Sequence, residues 1–212
     1  VRLKRSVNKE KITDKKRKTY AAMVSAVDDG VGHVLGALKE KGLDENTIVV
    51  FLSDNGGAHN NAADNGPLRG SKGDLFEGGI RVPFAMRWKG TIPEGNSYKK
   101  PISSLDIMAT IVAQSNVKID PKRPLDGVNL IPFLTGAEIG PPHDYLFWRK
   151  WEQNAMAIRH GNYKLIANKQ KQKASPNLYN LLKDKNERIE IGFEKKKISK
   201  QLHEKWEQWN SE

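Results

Sequence analysis

The sequence predicts an α/β fold carrying a small α+β appendage, and three observations predict it. Thr47-Ile48-Val49-Val50-Phe51-Leu52 is rich in β-branched and aromatic residues and apolar on both faces, as a strand buried in a parallel sheet requires. Ahead of it, Tyr20, Met23, Val24, Val27, Val31, Val34, Leu35 and Leu38 recur every three or four residues and give a helix one apolar stripe. Residues 136–142 gather two glycines and two prolines, and beyond them the period shifts to that of short strands. The expectation is a mostly parallel sheet with flanking helices over residues 1–138, and a small antiparallel sheet with a terminal helix over residues 139–212.

The 212 residues are enough for one domain with a good core, or for a core piece and an appendage. A hydrophobic fraction of 37% with no apolar run of membrane-spanning length predicts no membrane span. No charged-then-apolar leader follows Val1, so no export signal is expected within this sequence. Cysteine is absent, which excludes a disulfide framework and leaves the redox compartment open. The net charge of +11 belongs to the two ends: residues 1–18 carry +7, residues 164–212 carry +5, and the stretch between them −1. Asp14-Lys15-Lys16-Arg17-Lys18 and Lys195-Lys196-Lys197 are either solvated surface or a polyanion-attracting patch. No zinc-finger or RNP sequence accompanies them, so nucleic acid is not an expected partner.

Taken in order, residues 1–13 lack periodicity and read as an extended arm or as the remnant of a loop. The helix begins near Asp14 and ends near Gly42, which puts Asp28 and Asp29 inside it, as helix surface or local packing and not as metal ligands. After the strand at 47–52, residues 81–88 read as a second strand, with Pro83 marking its start or a sheet edge. Ser103 and Asp106 approximate a capping box, and Leu105, Met108, Ile111 and Val112 give the following helix an expected buried face. Residues 126–134 read as a turn and a short packed segment. Strands are expected at 145–148, 156–159, 163–167 and 178–181, the middle pair joined through His160-Gly161-Asn162. Residues 169–173 form a polar loop, and Ile198, Leu202, Trp206 and Trp209 fall at helical spacing.

The chemistry concentrates after the first strand. Ser53-Asp54-Asn55-Gly56-Gly57 is, by itself, a turn sequence. At the carboxyl end of a strand in an open α/β sheet, however, Asp54 and Asn55 present hard oxygen donors where such sheets bind ligands. The loop over 57–67 carries His59, a candidate substrate contact on an exposed, asparagine-rich segment. Lys72, in Leu68-Arg69-Gly70-Ser71-Lys72-Gly73, offers a compact cation for an oxyanion. Leu75 and Phe76 are expected to pin this loop to the core, and Glu77 and Arg81 to orient the backbone.

The order of strand, Asp-Asn-Gly-Gly, Lys72 and Glu77-Gly78-Gly79-Ile80-Arg81-Val82-Pro83 resembles the C-terminal part of the type I sulfatases, the formylglycine-dependent sulfate ester hydrolases of the alkaline-phosphatase-like superfamily. The resemblance extends to Tyr20-Ala21-Ala22-Met23-Val24-Ser25-Ala26-Val27-Asp28-Asp29-Gly30-Val31-Gly32, Gly161-Asn162-Tyr163-Lys164-Leu165-Ile166 and Leu178-Tyr179-Asn180-Leu181, nearly the whole chain. It implies an alkaline-phosphatase-like sandwich, Asp54 and Asn55 as Ca²⁺ ligands, and Lys72 as the catalytic sulfate contact. It implies a sulfated saccharide or aryl sulfate as substrate and a periplasmic or secreted location. The family makes its formylglycine from a Cys or Ser in a Cys/Ser-x-Pro/Ala-x-Arg motif, which does not occur here. The nucleophile and a missing N-terminal part of the catalytic domain are therefore expected outside this sequence. Two alternatives stay open: a phosphatase or phosphodiesterase of the same superfamily, for which five histidines without metal-ligand spacing are a poor fit, and a noncatalytic polyanion-binding module.

Overall fold

The computed structural model describes residues 12–115, 117–168 and 176–211. The polar loop over 169–173, and the expected N-terminal arm except for its last two residues, lie outside the described residues. The chain divides into two compact units, one of residues up to Trp88 together with Lys183–Ile189, the other of Lys89–Leu182 together with Glu190–Glu212. No helix among the described residues is long and apolar enough to cross a membrane.

In the first unit, helix α1 spans Lys15–Glu40, and the Asp14 side chain caps it by accepting the Arg17 N–H at 2.6 Å. Gly42 follows at φ 66°, the left-handed geometry that lets the chain leave a helix. The apolar stripe forms, and Asp28 and Asp29 lie within the helix, but none of its residues is buried. Strand β1 (Val49–Leu52) pairs with β2 (Phe84–Arg87) antiparallel, Leu52 opposite Phe84. Here the expectation of a strand buried on both faces is corrected: Phe51 is 43% exposed and the other three residues are half-buried. The physical reason is that among the described residues β2 is its one hydrogen-bonded neighbour, and every strand pair is antiparallel. A short helix, α2 (Glu77–Ile80), leads into β2.

The second unit opens with helix α3 (Leu105–Gln114) and the single turn α4 (Ile131–Thr135). The expected buried face of α3 is overturned: Leu105, Met108 and Ile111 are exposed and Val112 is half-buried, while Asp106, Ala109 and Thr110 are buried. Hydrogen bonding explains the inversion. Asp106 accepts the Val128 N–H at 2.9 Å and the Ser103 N–H at 2.7 Å, and the Thr110 hydroxyl oxygen accepts the Leu130 N–H at 2.9 Å. A buried N–H left without a partner costs about 1–3 kcal/mol, enough to choose the face. His143 adds a contact, its Nε2 lying 2.8 Å from Asp106 Oδ1.

Strands β3 (Tyr145–Lys150), β4 (Ala155–His160), β5 (Tyr163–Asn168) and β6 (Asn177–Asn180) form an antiparallel meander in chain order. His160 pairs with Tyr163 across a tight turn, and Gly161 sits at φ 54°. Helix α5 (Lys196–Asn210) lays Leu202 and Trp206 onto Met156, Ile158, Leu165 and Leu178. Each such side chain contributes about 1.5–3 kcal/mol by leaving water.

Candidate functional site

The site predicted from sequence lies in the first unit, where β1 ends, and backbone hydrogen bonds build it. The Ser53 N–H donates to Pro83 O at 3.1 Å and the Gly56 N–H to Gly79 O at 2.9 Å. The two segments lie so close that a Cβ on Gly56 would stand 1.8 Å from Gly78 O, and the lysine loop comes so near that one on Gly79 would stand 2.2 Å from Asp74 O. Only residues without side chains permit that approach. The Lys72 N–H then donates to Gly57 O at 3.2 Å, which binds the lysine loop to the turn that carries Asp54 and Asn55.

Asn65 fastens this junction. Its Oδ1 accepts the Gly57 N–H at 2.7 Å, and its Nδ2 donates to Gly57 O and Gly70 O, both at 3.0 Å. One side chain therefore satisfies three backbone groups on two loops. Asp74 closes the lysine loop by accepting the Ser71 N–H at 2.8 Å. Beneath it, buried Glu187 accepts the Glu77 N–H at 2.6 Å, while its backbone carbonyl receives Arg69 Nη1 at 2.8 Å. Arg69 also stacks its guanidinium 3.9 Å from the centre of the Phe76 ring. Leu75 and Phe76 are half-buried, Glu77 is buried, and Arg81 reaches Glu77 at 3.6 Å, in keeping with their expected anchoring roles.

The predicted site residues are disposed as follows. Asp54 and Lys72 are exposed and Asn55 is half-buried. His59 opens an exposed 3₁₀ turn, His59–Asn61, and is exposed itself. The side chains of Asp54, His59 and Lys72 make no hydrogen bond or ion pair with one another or with other described residues. A carboxylate and an ammonium on backbone-coupled loops, neither neutralised by a neighbour, are free to engage a ligand. Donor chemistry agrees with a hard cation at Asp54 and Asn55, but no three His, Cys, Asp or Glu side chains converge among the described residues. Two oxygen donors are a part of a Ca²⁺ shell, which takes six to eight.

Sequence reasoning missed Asn65, Asp74 and Glu187. Asn65 and Asp74 look like ordinary turn residues, and their spacing from glycine is the sole local hint. Glu187 acts on a loop 110 residues earlier in the chain, and no local pattern signals that.

The chain matches the Sulfatase family over residues 3–117, and the C-terminal family of N-sulphoglucosamine sulphohydrolase over residues 71–212. It belongs to the sulfatase family. Among curated relatives, the uncharacterized sulfatase YdeN of Escherichia coli is 39% identical over 130 residues, 61% of this chain and 23% of YdeN. The N-acetylgalactosamine-6-sulfatase of Canis lupus familiaris is 32% identical over 152 residues, 70% of this chain and 28% of that protein. The crystal structure of Ps i-CgsB in complex with k-i-k-neocarrahexaose is 35% identical with a TM-score of 0.85, covering 93% of this chain and 44% of that one. The chain thus spans less than a third of the curated relatives and under half of the solved structure, and its fold is that of the sulfatases.

Proposed function

We propose that this chain supplies part of the active site of a sulfatase that hydrolyses the sulfate esters of a saccharide or an aryl sulfate. In this reading Asp54 and Asn55 contribute two of the oxygen ligands of a Ca²⁺ ion. When bound, the ion supplies positive charge against the sulfate oxygens. Lys72 places its ammonium on the same ester group and offsets the negative charge that grows there as the S–O bond breaks. His59 contacts the substrate from the neighbouring turn. The formylglycine nucleophile and the remaining ligands come from an N-terminal part of the catalytic domain, and the enzyme works in the periplasm or outside the cell.

One observation carries this reading: in a chain of the sulfatase family, Asp54 and Lys72 sit unpaired on loops joined by the Lys72 N–H to Gly57 O bond. Saccharide sulfates are favoured because relatives include an N-acetylgalactosamine-6-sulfatase and a sulfatase-fold structure solved with a k-i-k-neocarrahexaose.

The test is turnover of a chromogenic aryl sulfate. The 212 residues alone should bind Ca²⁺ weakly and hydrolyse nothing. The complete enzyme should turn over, and Lys72→Ala should lower its kcat about 10²–10³-fold, as loss of one oxyanion-stabilising donor does. Robust hydrolysis by this chain without another polypeptide would refute the proposal.

A further inference from the structure

The second unit carries a hollow that the proposed active site does not use. It lies at the turn between β3 and β4, where Trp151–Gln153 form a 3₁₀ turn and Asn154 closes it in the left-handed region at φ 45°. The floor is apolar, formed by Met156 and Trp206, both buried. The indole N–H of Trp206 is spent inward, donating to Trp148 O at 3.1 Å. One wall is Trp151, 74% exposed. The rim holds Arg149, Lys150, Asn154 and Asn210.

Arg149 is fixed before any ligand arrives. Its guanidinium carbon stands 4.5 Å from the centre of the Trp151 ring and 5.5 Å from that of Trp209, and its Nη1 donates to Asn210 Oδ1 at 3.1 Å. Aromatic faces attract the cation, and a guanidinium held this way loses little further freedom when an oxyanion docks on its remaining N–H groups. An exposed indole by itself is ordinary. An exposed indole with a held guanidinium and an apolar floor around one hollow is a matched set. A sugar ring lays its C–H face on an indole, and its sulfate takes the planar fork of an arginine.

We infer that this hollow marks a saccharide subsite: one sulfated ring of an oligosaccharide lies across exposed Trp151 at its mouth, and Arg149 holds the sulfate. The choice of a sulfated ligand rests on the sulfatase reading, whereas the site itself rests on its own geometry.

The experiment is a calorimetric titration of the full chain, within the complete enzyme, with a sulfated galactan hexasaccharide and with the same hexasaccharide desulfated. The sulfated form should bind at least about tenfold more tightly, and added salt should narrow the gap. Trp151→Ala should weaken binding of the sulfated form about tenfold, with Trp151→Phe recovering part of the loss. Arg149→Gln should weaken the sulfated form and leave the desulfated one as it was. Wild-type affinity in both Trp151→Ala and Arg149→Gln, or equal affinity for the two sugars, overturns the subsite. Aryl sulfate turnover by the same wild-type sample separates the two ideas. Its absence counts against the sulfatase reading alone, and wild-type affinity of both variants in a sample that turns over counts against this hollow alone.

Discussion

The two units bury different things. In the second, Met156, Ile158, Leu165, Leu178, Leu202 and Trp206 close over one another between a four-stranded meander and a helix. In the first, no large apolar side chain among the described residues is buried; the buried positions are Ser71, Glu77, Glu187 and glycines such as Gly56, Gly78 and Gly79. The second unit is held by transfer of apolar surface from water, the first by backbone hydrogen bonds and a few side chains that complete them. Burial of apolar surface is tolerant of small displacements, whereas a backbone-to-backbone junction is not. The junction is therefore where positions matter most, and it is the junction that carries Asp54, Asn55 and Lys72.

Substitutions can break this contrast or sharpen it. The largest effect is expected from Leu165→Ala, which empties part of the core of the second unit and should cost about 2–5 kcal/mol in urea denaturation. A cost below 1 kcal/mol would mean that the meander is not held by its core. Asn65→Ala should be milder in global terms, about 1–3 kcal/mol, but local in its signature. Amide exchange should quicken at Gly57 and Lys72 while the strands of the second unit keep their protection. Uniform loss of protection would deny Asn65 its role at the junction. The smallest effect belongs to Val27→Ala on the exposed stripe of α1, expected within about 0.5 kcal/mol for this chain measured alone. In the complete enzyme proposed above the same substitution should cost about 1 kcal/mol or more if another part of the catalytic domain covers that stripe. An unchanged stability in both settings would count against such a covering.

Much of the second unit was legible because its signals are local. The short apolar runs in 156–159 and 163–167, the His160-Gly161-Asn162 turn and the spacing of Ile198, Leu202, Trp206 and Trp209 each state their own geometry within a few residues. The facing of α3 was not legible, because it depends on Val128 and Leu130 finding acceptors in Asp106 and Thr110. Periodicity counts apolar residues and is blind to a backbone N–H some twenty positions away. The exposure of β1 escaped for a related reason: six residues apolar on both faces describe a strand that can be buried on both, not one that is.

At the candidate site the division is similar. The sequence by itself determined which chemistry is present, since Asp54, Asn55, His59 and Lys72 carry their donors and charges wherever the chain goes, and the glycines around them announce a close approach. Tertiary structure alone decided what that approach is made of: Gly57 bonded to Lys72, Asn65 spanning both loops, and Glu187 returning from far along the chain to hold Glu77. Residue type sets what a group can donate or accept, and that is written in one position. Which groups meet is set by closing loops across many positions, and only the folded chain settles that.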